Sequence, residues 1–250
     1  MDSKVFRISL TAMVLLVAAS SFAQEEAIDS SKPTNFYTFL ENNLEYTDSP
    51  GQKVYGYRGN LTYAPSPEHL VLGELPLLYN DRTSKFGLGD LRARYFWLPY
   101  KDYDRFLGAF GPSLDVYAPT GSVEDGLGSS RWVLSPGVTV GLMAADWIQF
   151  FPILSYQYQS KPGSDLVADQ TDKQGYTFQV IVPIVFNDRL FAQVTPVYQA
   201  NEIEDVKKDR FVQEVTLVWT MAPKRQISFF YRGNFEDEVH VFRLGYTLFL

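Results

Sequence analysis

Two kinds of side chain in this sequence have the chemistry to act on a solute: charged groups set between alternating apolar residues, and two histidines. Arg58, Glu74, Asp90, Arg92, Arg94, Asp115, Glu214, Arg232 and Arg243 each sit in a segment whose apolar residues occupy the opposite phase. Successive side chains on a strand point to opposite faces, so these groups would share the inner face of a sheet closed on itself. Guanidinium and carboxylate groups crowded there could form a constriction that selects or orients a solute. They could equally fill a narrow barrel with ion pairs and hold its strands in register. Both roles stay open for these residues.

Catalysis finds little to work with. Cysteine is absent and the histidines are His69 and His240, which removes thiol nucleophiles, disulfides, zinc-thiolate sites and multi-histidine metal sites. A serine nucleophile needs its base within hydrogen-bond reach. No serine lies close to His240, and Ser155 and Ser228 fall on the opposite phase, so His240 reads as an interfacial, structural residue. His69 falls beside a turn. The acidic stretch Ser122 to Gly128 and the cluster Glu202, Glu204, Asp205 and Asp209 match no cation-loop spacing and read as solvated loops. Gly87-Leu88-Gly89-Asp90 lacks the following helix that a phosphate loop requires. No catalytic residue, metal or cofactor is expected, and no enzymatic activity.

The elements that must position the charges are strands. Apolar residues recur at every second position in Tyr176, Phe178, Val180, Val182, Ile184 and Phe186, and again in Phe242, Leu244, Tyr246, Leu248 and Leu250. Ile148 to Tyr158 and Phe211 to Met221 repeat the pattern. Period-two alternation between turn residues is the mark of half-buried strands. The chain is expected to be all-β, with strands at 36–46, 53–63, 69–79, 86–98, 104–118, 131–143, 146–158, 174–186, 189–200, 211–222, 225–234 and 238–250. The first of these could instead be a short helix at a barrel mouth.

Long and tight connections alternate through the C-terminal half. Pro119 to Ser130, Gln159 to Lys173 and Asn201 to Arg210 are long, whereas Ala144-Ala145, Asn187-Asp188 and Ala222-Pro223-Lys224 are tight. An up-and-down sheet would gather the long loops at one end, as outer-membrane barrels do with short periplasmic turns and longer extracellular loops. The strands are also long for a soluble sheet and match a tilted bilayer span. Aromatic residues are 16% of the chain, and Tyr95, Trp97, Trp132, Trp147, Tyr156, Tyr158, Tyr198 and Trp219 cluster toward strand ends, where headgroup-level rings belong. The expected architecture is a transmembrane antiparallel up-and-down β-barrel of about twelve strands, ten being the smaller even alternative.

Two ends of the chain add addressing signals. Residues 1–23 carry Lys4 and Arg7, an apolar run from Ile8 to Ala19 and a Ser21-Phe22-Ala23 ending, the features of a cleaved secretory signal peptide. Residues 24–34 are then expected to be a flexible segment and 35–250 the barrel. The last strand, with Gly245, Tyr246, Leu248 and Leu250, is similar to the β-signal read by the outer-membrane assembly machinery, with Leu250 in place of the usual terminal Phe. A net charge of −7 and a pI near 4.9 without a basic block argue against nucleic acid as a partner. One apolar run and a mean hydropathy of −0.13 exclude a polytopic helical membrane protein.

Gly87-Leu88-Gly89-Asp90-Leu91, Gly111-Pro112, Tyr117-Ala118-Pro119-Thr120-Gly121, Leu127-Gly128, Trp132 and Ser135-Pro136-Gly137 follow one another in an order that resembles the bacterial outer-membrane transporter family associated with the meta-pathway of phenol degradation. The resemblance spans about residues 86–160. It implies a barrel passing small, hydrophobic or aromatic molecules, and no catalytic residues. The expected function is passive passage of a small solute through the outer membrane of a Gram-negative-type envelope, with membrane lipid and the barrel assembly machinery as further partners. The rivals are a non-conducting structural or adhesin-like barrel with partner-binding outer loops, a barrel lipid-modifying enzyme, and a soluble exported barrel.

Overall fold

The computed structural model describes residues 28–145, 147–203 and 205–250, so the expected signal peptide and Glu204 lie outside the described residues. Fourteen strands form one antiparallel sheet: β1 (Phe39–Ser49), β2 (Gln52–Ser66), β3 (His69–Asn80), β4 (Lys85–Leu88), β5 (Leu91–Trp97), β6 (Tyr100–Lys101), β7 (Leu107–Ala118), β8 (Val133–Ala145), β9 (Ile148–Gln159), β10 (Lys173–Asn187), β11 (Leu190–Ala200), β12 (Asp209–Ala222), β13 (Arg225–Asn234) and β14 (Val239–Phe249). Each full strand pairs with its sequence neighbours, and β1 pairs with β14 from Phe39↔Phe249 to Asp48↔His240. That last pairing closes the barrel.

The twelve expected strands are all present. β4, β5 and β6 are pieces of the single strand expected at 86–98 and its continuation, so the barrel wall is twelve strands around with interruptions. The first break falls at Gly89-Asp90. There β4 and β5 both pair with β3, but the register moves by one residue, from Leu77↔Leu88 to Glu74↔Arg92. The second falls at Leu98-Pro99, where proline has no N–H to give the ladder. Gly111 faces this second break, and a Cβ there would lie 1.9 Å from the Trp97 carbonyl oxygen. Only glycine permits that approach.

Phase decides which residues meet which solvent. Leu44, Leu61, Leu154, Phe178, Leu217, Phe229 and Leu244 stand exposed on the outside, forming a belt that only lipid would cover favourably. Trp97, Trp147 and Trp219 lie near the tight-turn end of that belt and Trp132 near the long-loop end, all exposed. Asn42 is a polar intruder on the outer face, satisfied by the Tyr57 hydroxyl donating to its Oδ1 at 2.6 Å. Strands of 10 to 15 residues rise roughly 3.3 Å per residue, enough to cross a bilayer when tilted. Both ends of the described chain lie at the tight-turn end, where the Leu250 N–H donates to the Thr38 carbonyl. In the last strand Tyr246 is exposed outside, while Gly245 faces inward against Ser228 and Asn43.

The first strand begins at Phe39 rather than at 36. Residues 28–38, whose first part was expected to be a flexible lead-in, are folded against the tight-turn end, and Thr34 is 2% exposed.

Candidate functional site

Inward side chains on β14, β1, β2, β3, β5 and β7 carry a continuous chain of ion pairs across the wall. Strand pairing sets it up: Glu45 faces Arg243, Glu74 faces Arg92, and Arg94 faces Asp115. Arg243 Nε reaches Glu45 Oε2 at 2.5 Å. Arg58 grips the same carboxylate with Nε at 2.8 Å and Nη2 at 3.0 Å, and extends Nη1 to Glu74 at 3.1 Å. Arg92 takes the other Glu74 oxygen at 2.8 Å and chelates Asp115 at 2.9 and 2.6 Å. Arg94 ends the series on Asp115.

The forked guanidinium suits such bridging because its donors are fixed in one plane. Its faces are used too. Arg92 lies over Tyr117 at 5.0 Å, Arg94 over Phe96 at 5.6 Å and Arg243 over Phe230 at 4.8 Å. Glu45 and Glu74 are only 5% and 7% exposed at the side chain, so the carboxylates are the deeply held partners. Charges so placed hold six strands in register, and they also set the potential of the space they face.

That space is two chambers, one above the other. The chamber toward the long loops has a volume of about 370 Å³, with the ladder on one wall and Ser155, Gln157, Thr177, Gln179, Gln193 and Thr195 on the other. Glu214 and Arg232 also border it, 3.6 Å apart in a looser pair. Gln193, Thr216, Phe230 and Arg243 line both chambers and form the waist between them. The second chamber, about 360 Å³ toward the tight turns, has phenyl surface from Phe39, Phe191 and Phe249 and is floored by the N-terminal segment.

Eight of the nine charged residues picked out by phase therefore border this lumen. Asp90 does not join them. It sits at the β4–β5 break, and its carboxylate accepts from the Gly121 N–H at 3.0 Å and from the Ser129 N–H and hydroxyl at 2.7 Å, tying down the loop between β7 and β8. Glu45 was missed, although it alternates with Leu44 and Tyr46. Arg131 was missed as well. It is buried and donates to the carbonyls of Ser160, Thr171 and Asp169, joining two long loops.

The β7–β8 loop folds inward at the long-loop end. Asn80, fully buried, donates to the carbonyls of Asp125 and Gly126, and Leu127 is buried beside Gly87. Both histidines pair with a tyrosine rather than a serine: His240 Nδ1 with the Tyr231 hydroxyl at 3.0 Å, and His69 Nδ1 with Tyr95 at 2.7 Å although Ser66 is its cross-strand partner. Among the described residues, no group of three or more metal-ligating side chains could hold an ion.

No family model matches the chain, and no curated protein matches it; the resemblance to the phenol-pathway transporters is thus not extended by either comparison. Solved structures do match. The NanC porin is 12% identical with a TM-score of 0.64 over 84% of this chain and 99% of that one. The KdgM porin is 11% identical with a TM-score of 0.58 over 84% and 98%, and its complex with disordered oligogalacturonate gives 0.57. At these identities the likeness is one of fold: the chain is a porin-like transmembrane barrel.

Proposed function

We propose that this chain is an outer-membrane channel for passive passage of small solutes, made with a cleaved signal peptide over residues 1–23 and placed in the membrane by machinery that reads Gly245, Tyr246, Leu248 and Leu250. The observation that carries the reading is the inside-out distribution of polarity: a hydrogen-bonding, charge-lined lumen within an apolar outer belt. A barrel that only stabilised the envelope would have no need of a polar chamber of about 370 Å³.

The charged residues Arg58, Glu74, Arg92, Arg94, Asp115, Glu214, Arg232 and Arg243 are the selecting wall in this reading. Five arginines meet four carboxylates around the upper chamber once Glu45, bound to Arg58 and Arg243, is counted, and the remaining cationic excess favours small anions and neutral polar solutes over cations. The hydrophobic or aromatic cargo implied by the family resemblance would find phenyl surface from Phe96 and Phe230 in the upper chamber and more of it in the lower one. NanC and KdgM are porins by name, and the oligogalacturonate-bound KdgM is an example of such a barrel with a solute.

Liposome swelling tests the reading. Vesicles holding the refolded chain should admit small sugars and sugar acids faster than vesicles without it, with larger oligosaccharides excluded. Equal swelling rates with and without protein, for the full chain and for a chain lacking residues 28–36, would sink it.

A further inference from the structure

The tight-turn mouth of the barrel is spanned by the chain's own N-terminal segment. Its contacts come from well-separated parts of the rim. Lys101, beyond β5, donates to the Thr34 carbonyl at 2.6 Å and to the Pro67 carbonyl, and its ammonium lies 4.2 Å from the centre of the Phe36 ring. Tyr103 donates to the Thr34 hydroxyl at 2.8 Å. Gln226 on β13, separated from Lys101 by the four strands β3, β2, β1 and β14, donates to the Ser30 hydroxyl at 2.7 Å.

Apolar contacts fill the space between these latches. The Phe36 ring packs on Phe96 at 6.3 Å and Tyr37 edge-on to Phe249 at 5.9 Å. Leu70, Phe191, Val218 and Phe249 point into the lumen yet are each less than a tenth exposed. An inward apolar ring at the end of a water-filled pore would be wetted at a cost. Here the N-terminal segment covers it.

We propose that residues 28–38 are a built-in plug that closes the tight-turn end of the lumen, and that passage through the barrel requires its displacement. This rests on the channel reading for its meaning but not for its test. In the proposed orientation the plug acts from the periplasm. It sits at the tight-turn end, beneath a waist to which the arginine ladder contributes Arg243.

The chain has no cysteine, so Thr62→Cys gives a single reporter. Thr62 lines the lower chamber and is 1% exposed. Its labelling by a water-soluble, membrane-impermeant maleimide should speed up at least about tenfold when residues 28–36 are deleted, since a closed site reacts only through rare openings. Lys101→Ala with Tyr103→Phe, which keeps the segment and removes two latches, should move the rate in the same direction by a smaller factor and serves should the deletion fail to fold. Heat-modifiable migration confirms an intact barrel in each case. Unchanged labelling in both folded variants would overturn the plug, even in a barrel that conducts. Faster labelling in a barrel that never conducts would support the plug and overturn the channel reading instead.

Discussion

Replacing Glu45 with alanine is the sharpest test of the ladder as a structural device. This carboxylate accepts two bonds from Arg58 at 2.8 and 3.0 Å and one from Arg243 at 2.5 Å, and its side chain is 5% exposed. Removing it leaves two guanidinium groups facing each other with no anion between them. Breaking one partner out of a buried pair costs roughly 3–5 kcal/mol. Arg58 keeps Glu74 at 3.1 Å, and the chamber admits some water, so a loss of about 3 kcal/mol is expected for Glu45→Ala. Glu214→Ala is the internal control: its partner Arg232 is 3.6 Å away and both side chains are more than a quarter exposed, so a loss below about 1 kcal/mol is expected. Reversible urea unfolding from detergent or lipid measures both. The paired Arg243→Ala change should recover part of the Glu45→Ala loss, because it removes one orphaned cation. Equal, small losses for Glu45→Ala and Glu214→Ala would refute the reasoning that burial makes the ladder rigid.

Further predictions probe the wall and the loops. Leu154→Arg, on the outer belt, should destabilise the barrel by about 2–4 kcal/mol, whereas Thr177→Arg, on the lumen wall beside it, should alter solute passage with little change in the urea midpoint. Gly126 has φ of 68°, and a Cβ there would meet Asn80 Nδ2 at 2.4 Å; Gly126→Val should loosen the β7–β8 loop by about 1–2 kcal/mol, read as faster proteolysis between residues 119 and 132. Lys173 hydrogen-bonds to Asp169, holding that carboxyl well below the ordinary range, and Lys208, then Lys173, lower Glu202 in the same way. Depressed carboxyl values contribute stability that is whole above the unfolded pKa of about 4 and lost as the pH falls through the lowered ones. Hydrogen exchange in the loops following β9 and β11 should therefore be unchanged from pH 7 to 5 and accelerate, beyond its intrinsic pH dependence, under more acid conditions.

Much of the wall was legible because one face of each strand must meet lipid. That demand writes a period of two into β9, β10, β12 and β14, and it forces charge onto the other phase. Glu45 escaped because its strand breaks the pattern: Asn42 sits on the outer face, and its acceptability depends on a hydroxyl from Tyr57 on the next strand. Asp90 was assigned to the lumen as though 86–98 were one uninterrupted strand. The break at Gly89-Asp90 turns its carboxylate to backbone donors of a loop some thirty to forty residues away. The N-terminal segment had no periodicity to read at all. Its position follows from single contacts with Lys101, Tyr103 and Gln226, none of which leaves a local mark in the sequence.

Single-channel recording in a planar bilayer tests the central claim most directly. The account predicts discrete steps, more frequent when residues 28–36 are removed, with a reversal potential on the anion-selective side. That potential should move toward cation selectivity in Arg94→Gln, the most exposed arginine of the ladder. A folded, heat-modifiable barrel that gives no steps with or without the N-terminal segment would contradict it.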